Sequence, residues 1–165
     1  MITILGDSMI NDLKHRDFQQ KCQNHRFYAK SYPGATVADT AHYIQPSVQR
    51  EPDLLLVHCG TNTLKGYKCA KNIANEIATL ASSAKRTNND VIVSSIIGRE
   101  DEFRTKATEV NVFLKQMCQE LDIGYLDHSN ISCEHLTFKG RFPSLHLNKV
   151  GSDILFNNLV DSFIL

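Results

Sequence analysis

The segment Leu54-Leu55-Leu56-Val57, entered through Asp53 and left through His58-Cys59-Gly60, can be housed in few folds. Its apolar side chains do not alternate with polar ones, so a strand built from it must be covered on both faces, as an inner strand of a parallel sheet is. Other stretches supply companions. Ile2-Thr3-Ile4-Leu5 reads as a first strand, Arg26-Phe27-Tyr28-Ala29 as a second, Val91 to Ile97 as a fourth and Ile123 to Leu126 as a fifth. Between them lie helical patterns. Residues 9–22, polar with scattered apolar positions, suggest a short surface helix. Thr36 is placed to cap a helix carrying Val37, Ala38, Ala41 and Ile44, which Pro46 weakens or ends. A longer helix presents Ala70, Ile73, Ala74, Ile77, Leu80, Ala81 and Ala84 on one side, and Asn88-Asn89-Asp90 punctuates the chain after it. The next helix spans about 103–121 with Val110, Phe113, Leu114, Met117 and Cys118 inward. The last runs from about 148 to 163 over a stripe of Val150, Ile154, Leu155, Leu159 and Val160, and residues 127–147 before it read as irregular.

Strands alternating with helices, without repeats or linkers, predict an α/β fold: a three-layer α/β/α sandwich around a five-stranded parallel sheet with right-handed crossovers. At this size the flavodoxin-like strand order 2-1-3-4-5 is the common choice. Residues 1–165 are read as a single domain, because 42% hydrophobic and 22% charged residues suit a sizeable core and carry no mark of disorder. Lys plus Arg and Asp plus Glu both number 18, so the basic excess that a phosphate-binding surface needs is missing. Direct nucleic-acid binding by this domain is therefore not expected. No apolar run reaches the roughly 18 to 20 residues of a transmembrane segment, and Met1 leads into a strand pattern rather than a signal peptide. The five cysteines, Cys22, Cys59, Cys69, Cys118 and Cys133, are odd in number and lack paired short spacings, which suits a reducing, intracellular and cytoplasmic setting.

Function enters at the strand ends. In an open α/β sheet ligands bind outside the carboxyl ends of the strands. Gly6-Asp7-Ser8 follows the first strand, Pro33-Gly34-Ala35 the second and Gly60-Thr61-Asn62 the third, and His146, just before the last helix, belongs to a connection on the same edge. A serine at a strand tip can attack an acyl carbon, although Asp7 or Ser8 could equally do no more than cap the next helix. These three segments and Leu145-His146-Leu147-Asn148 occur in the order and positions of the four blocks of the SGNH (GDSL-like) hydrolases, and the resemblance covers nearly the whole chain. The fuller phrasing of residues 6–10, 57–62 and 145–151 resembles the esterase domain in the first open-reading-frame protein of some LINE-type retrotransposons. What this resemblance implies is a serine esterase acting on a small-molecule ester, with Ser8 as nucleophile and His146 as base. It also implies an oxyanion hole made of the Ser8 and Gly34 backbone N–H groups and the Asn62 side-chain amide, and no metal or organic cofactor.

The chemistry is consistent with that implication. A serine hydroxyl is a poor nucleophile until a base takes its proton, and a neutral imidazole can do so near pH 7 and then hand the proton to the leaving alcohol. A chain of 165 residues has little length for a lid over a long lipid tail, so short acyl groups are expected. Two positions depart from the family pattern. Pro143 stands three residues before His146, where the family usually has the aspartate that holds the imidazole tautomer, and a wrong tautomer costs about 10⁴-fold in a serine protease. A backbone carbonyl near Pro143 or Ser144 could replace it, or Asp127 across the same edge. Asp153, seven helical positions on, lies roughly 10 Å along the axis. The reading adopted is a Ser8–His146 dyad with a carbonyl orienter. Thr63 stands where an aspartate often follows the asparagine, which bears on the support of that loop.

Pro143 also keeps open a different class of function, in which the scaffold is catalytically silent and serves recognition or self-association in a retrotransposon ribonucleoprotein. His58 and Cys59, at the end of the central strand, are expected to pack rather than react. His128, Cys133 and His135 share a loop but lack the paired ligands of a structural zinc site. Lys65, Lys68 and Lys71 form a solvated helix face or rim the crevice. A nucleotide-binding role fails for want of a glycine-rich phosphate loop.

Overall fold

The computed structural model describes residues 1–14, 20, 25–87 and 90–164. At its centre is β3 (Leu54–His58), paired in parallel with β1 (Ile2–Gly6) on one side and β4 (Asp90–Ser94) on the other. β2 (Phe27–Ser31) adds to the outer edge of β1 and β5 (Gly124–Leu126) to that of β4, which completes the expected order β2-β1-β3-β4-β5. The pleat sorts successive residues to opposite faces. Leu5, Leu55, Val57, Val91 and Val93 join one core with α1 (Val37–Val48), α2 (Ala70–Lys85) and α3 (Arg104–Glu120). Ile2, Ile4 and Leu56 face the other way and meet Leu155, Phe156 and Leu159 of α4 (Lys149–Ile164). The uninterrupted apolar run of β3 is explained by these two covered faces. Among the described residues no helix is long and apolar enough to cross a membrane.

Four local expectations need correcting. The predicted surface helix at 9–22 begins as a tight 3₁₀ helix, Ser8–Lys14, whose Met9, Ile10 and Leu13 are buried in the α4-side core, so its apolar positions are interior. Residues 15–19 and 21–24, with Cys22, lie outside the described residues, as do Asn88 and Asn89. α1 runs through Pro46 to Val48, because Pro46 sits on its exposed side while Ile44 and Val48 hold the last turn against the core. On α4, Val150 is exposed and Phe156 is buried in its place. The stretch read as irregular contains a 3₁₀ turn, Cys133–His135, and an antiparallel hairpin of β6 (Leu136–Lys139) and β7 (Phe142–Leu147). Its strands are short and one of them contains Pro143, which is tolerated because a two-stranded ribbon is all edge.

Candidate active site

The turn after β1 is clamped from both sides. Asp7 donates its N–H to the His58 carbonyl at 3.3 Å, and its own carbonyl accepts the Ser31 hydroxyl at 3.0 Å. Its side-chain Oδ1 accepts the Met9 N–H at 2.9 Å. Ser8 is thereby held between two fixed residues, half-buried, at the first position of the 3₁₀ helix. Its backbone N–H, and that of Gly34, have no protein partner among the described residues. Gly34 lies exposed in the loop after β2 with φ +80°, a left-handed conformation that favours glycine although the space around it is open.

The loop after β3 is built more tightly. Gly60 has φ +121°, and a Cβ there would stand 2.8 Å from Ile96 Cδ1 and 3.0 Å from Ile77 Cδ1, so both conformation and space exclude a side chain. Asn62 donates from Nδ2 to the Ala35 carbonyl at 3.0 Å, which draws this loop against the one carrying Gly34 and leaves one amide hydrogen available. Thr63 Oγ1 accepts the Val37 N–H at 2.9 Å, so the residue standing in for an aspartate ties the loop to the start of α1. Beneath them lies Arg99, which the sequence did not single out. Its buried guanidinium donates to Thr61 O at 3.2 Å and Thr61 Oγ1 at 3.0 Å, and forks onto Asp101, holding that carboxyl below the usual carboxylate range.

His146 comes from β7. Its ring is exposed, its N–H donates to Ser144 Oγ at 3.2 Å and its carbonyl accepts from Thr137 Oγ1 at 3.2 Å. β7 packs against the 3₁₀ helix that Ser8 opens, and Leu147 shares a core with Met9, Ile10 and Leu13. Ser152 on α4 also donates to Asp12 at 2.8 Å. The segments carrying serine and histidine therefore adjoin. Among the described residues the His146 ring makes no hydrogen bond to a carbonyl, a carboxylate or Ser8 Oγ. Pro143 lies opposite Phe138 in the hairpin, Asp127 accepts the Ser129 N–H at 2.8 Å in its own turn, and Asp153 pairs with Lys149 at 3.3 Å. An extended strand holds each side chain away from the carbonyls of its own neighbours, so a local orienter for this ring has no ready geometry.

A different serine is hydrogen-bonded to histidine. Ser94 Oγ stands 2.7 Å from His58 Nδ1 and 2.7 Å from His128 Nε2, and all three residues are at most 2% exposed, beyond the reach of substrate. Burial lowers the pKa of His58, and burial with the nearby His58 brings that of His128 down to about 3. Cys59 is packed as expected, its thiol pushed up to about 12 by burial. His135, half-buried, accepts the Ser132 N–H on Nδ1 at 3.0 Å in its own 3₁₀ turn. Beside Asn62 opens a groove of about 400 Å³ whose walls include Thr36, Ala38, Thr63, Tyr67 and Lys68, the last paired with Glu76.

Comparison with known proteins rests on this architecture. No family model matches the chain, and no curated protein matches its sequence. Solved structures do match. A member of the lipolytic protein G-D-S-L family from Veillonella parvula superposes with a TM-score of 0.81 at 18% identity, over 99% of this chain and 97% of that one. A psychrotrophic esterase from Pseudoalteromonas gives 0.80 at 17%, over 98% and 95%, and a GDSL-like lipase from Bacteroides thetaiotaomicron 0.78 at 16%, over 98% and 86%. The fold is that of the GDSL-like hydrolases. In this GDSL-like fold the tips of β1, β2 and β3 are neighbours, so Ser8, Gly34 and Asn62 come from adjacent connections at one sheet edge.

Proposed function

We propose that the chain is a carboxylic ester hydrolase that cleaves small, short-acyl oxygen esters through an acyl-serine intermediate. Ser8 Oγ attacks the carbonyl carbon while His146 takes its proton. The tetrahedral oxyanion is met by the Ser8 and Gly34 N–H groups and the remaining Asn62 amide hydrogen. His146 then protonates the departing alcohol, and a water molecule activated by the same imidazole releases the acid. The observation that carries this reading is the packing of β7 against the 3₁₀ helix begun by Ser8, which sets side by side two segments whose histidine and serine are 138 positions apart in the chain. The Ser8 and Gly34 N–H groups, without a partner among the described residues, support it, since an oxyanion hole requires donors not already engaged. So does the range of structural neighbours, which includes an acetyl xylan esterase. With Pro143 in place of the usual triad aspartate, the reading is a dyad.

The test is covalent labelling. A fluorophosphonate probe is expected to label the wild-type protein at Ser8, and hydrolysis of p-nitrophenyl acetate is expected to vanish in Ser8→Ala. Equal hydrolysis by both proteins removes the proposal. The second reading, a silent scaffold for binding or self-association, is favoured by the lack of any acceptor on the His146 ring among the described residues. It accords with the narrower likeness to the retrotransposon esterase domain, and predicts no labelling of a folded protein.

A further inference from the structure

Asp7 is fully buried, its Oδ1 serves the Met9 N–H, and its Oδ2 has no hydrogen-bond partner among the described residues. A bare carboxylate oxygen in a protein interior is costly unless a donor or positive charge faces it. The groups whose fields reach it are His58 and the Cys59 thiol at the end of β3 and His146 on β7. Strand order decides which side each occupies. β1 and β4 flank β3, so Asp7 and Ser94 lie on opposite flanks of His58. The pleat that turns Leu56 toward α4 also turns His58 that way, and Ser94 follows Ile92 on β4 in the same phase.

From Ser94 the hydrogen bonds continue. His128 Nδ1 lies 2.9 Å from Asn158 Nδ2, and Asn158 and Asn130 exchange amide bonds of 2.8 and 2.9 Å. Donor and acceptor counting gives this chain a direction. Asn158 uses one amide hydrogen on Asn130 and the other on His128 Nδ1, so the proton of neutral His128 resides on Nε2. That N–H donates to Ser94 Oγ. The Ser94 hydroxyl then has only His58 Nδ1 to donate to, which leaves the His58 proton on Nε2.

We propose that Asn158, His128, Ser94 and His58 form a polarised hydrogen-bond relay that turns a His58 Nε2–H toward Asp7, keeping this buried carboxylate ionised and the Ser8 turn in register. These are positioning residues, and the inference rests on the esterase reading for its kinetic consequence alone. Burial raises the pKa of Asp7 against the pull of the Met9 N–H, and burial also lowers the pKa of His58 and His128, which keeps both rings neutral, as the counting requires, so that His58 acts on Asp7 through an N–H dipole rather than a charge.

Two measurements test the relay. Long-range ¹H–¹⁵N correlation of the wild-type imidazoles at neutral pH is expected to show His58 and His128 protonated on Nε2 with bare Nδ1 atoms. A proton on Nδ1 of either ring overturns the proposal, whether or not the protein is an esterase. Ser94→Ala cuts the chain, so Asp7 takes up a proton at higher pH. The kcat for p-nitrophenyl acetate should fall by about 10²-fold near pH 5.5 and far less near pH 8, with KM nearly constant. Asp7→Asn should show no such pH difference. An equal loss at both pH values, or none, overturns the relay in a protein that the fluorophosphonate probe still labels. Absence of labelling in the wild type rejects the esterase reading instead, and the tautomers then decide the relay by themselves, as they do if Ser94→Ala fails to fold.

Discussion

Asn62 carries two tasks on one side chain. Its Nδ2 holds the Ala35 carbonyl, and the remaining hydrogen is the proposed oxyanion donor. Asn62→Ala is therefore expected to lower kcat by about 10²- to 10³-fold with a smaller change in KM, read from steady-state hydrolysis of p-nitrophenyl acetate. An equal effect on KM alone would place the residue in ground-state binding. At this scale the sequence was informative where a residue type is chemically singular. A serine and an asparagine following strand-like runs, and a histidine just before the last helix, could be picked out. Arg99 could not, because nothing local distinguishes an arginine that is 5% exposed and donates to Thr61 from a solvated one. Ser94 was hidden in the same way: a serine ending an apolar strand has no visible partner until His58 and His128, 36 and 34 residues distant, close on it.

α1 shows how an element is set by its first turn. Thr36 accepts the Asp39 N–H at 3.2 Å, Asp39 accepts the Thr36 N–H at 2.9 Å, and Thr63 supplies an acceptor for Val37. Thr36→Ala should cost about 1 kcal/mol at neutral pH, measured by urea denaturation. The backbone and hydroxyl hydrogen bonds from Thr36 hold the Asp39 carboxyl below the ordinary 3.8. Its contribution is thus present above the ordinary pKa and lost as pH falls through the lowered one. The penalty of Thr36→Ala is accordingly expected to shrink below about pH 4, and an undiminished penalty there would dissociate the cap from Asp39 ionisation. The cap was legible in Thr36, which stands between the Pro33-Gly34 turn and the helical spacing that begins at Val37, whereas the part of Asp39 was not read. The β6–β7 hairpin was not, since strands of four and six residues carry little periodicity and Pro143 argues against the second being one.

For the molecule as a whole, the buried histidines set a pH response. His128 titrates near 3 in the fold against 6.5 when exposed, and His58 is shifted the same way. Between those values the unfolded chain binds more protons, so stability should rise with pH, by at most about 1.4 kcal/mol per unit for each group. Asp7, shifted upward, opposes this between 3.8 and its folded value. Urea midpoints taken from about pH 4 to about pH 7 should climb, and His128→Gln should flatten the slope. A midpoint independent of pH in the wild type would mean that these rings are hydrated. Sequence alone determined the alternation of strands and helices and so the parallel sheet, because periodicity is settled among near neighbours; the strand order was the common choice for a chain of this size, and Ser8, Gly34 and Asn62 were assigned to one edge on that choice. Only the tertiary structure decided how His58, Ser94 and His128 are linked, and that β7 packs against the 3₁₀ helix that Ser8 opens. Those partners depend on lateral strand order and pleat phase, which bring together residues that no local pattern relates.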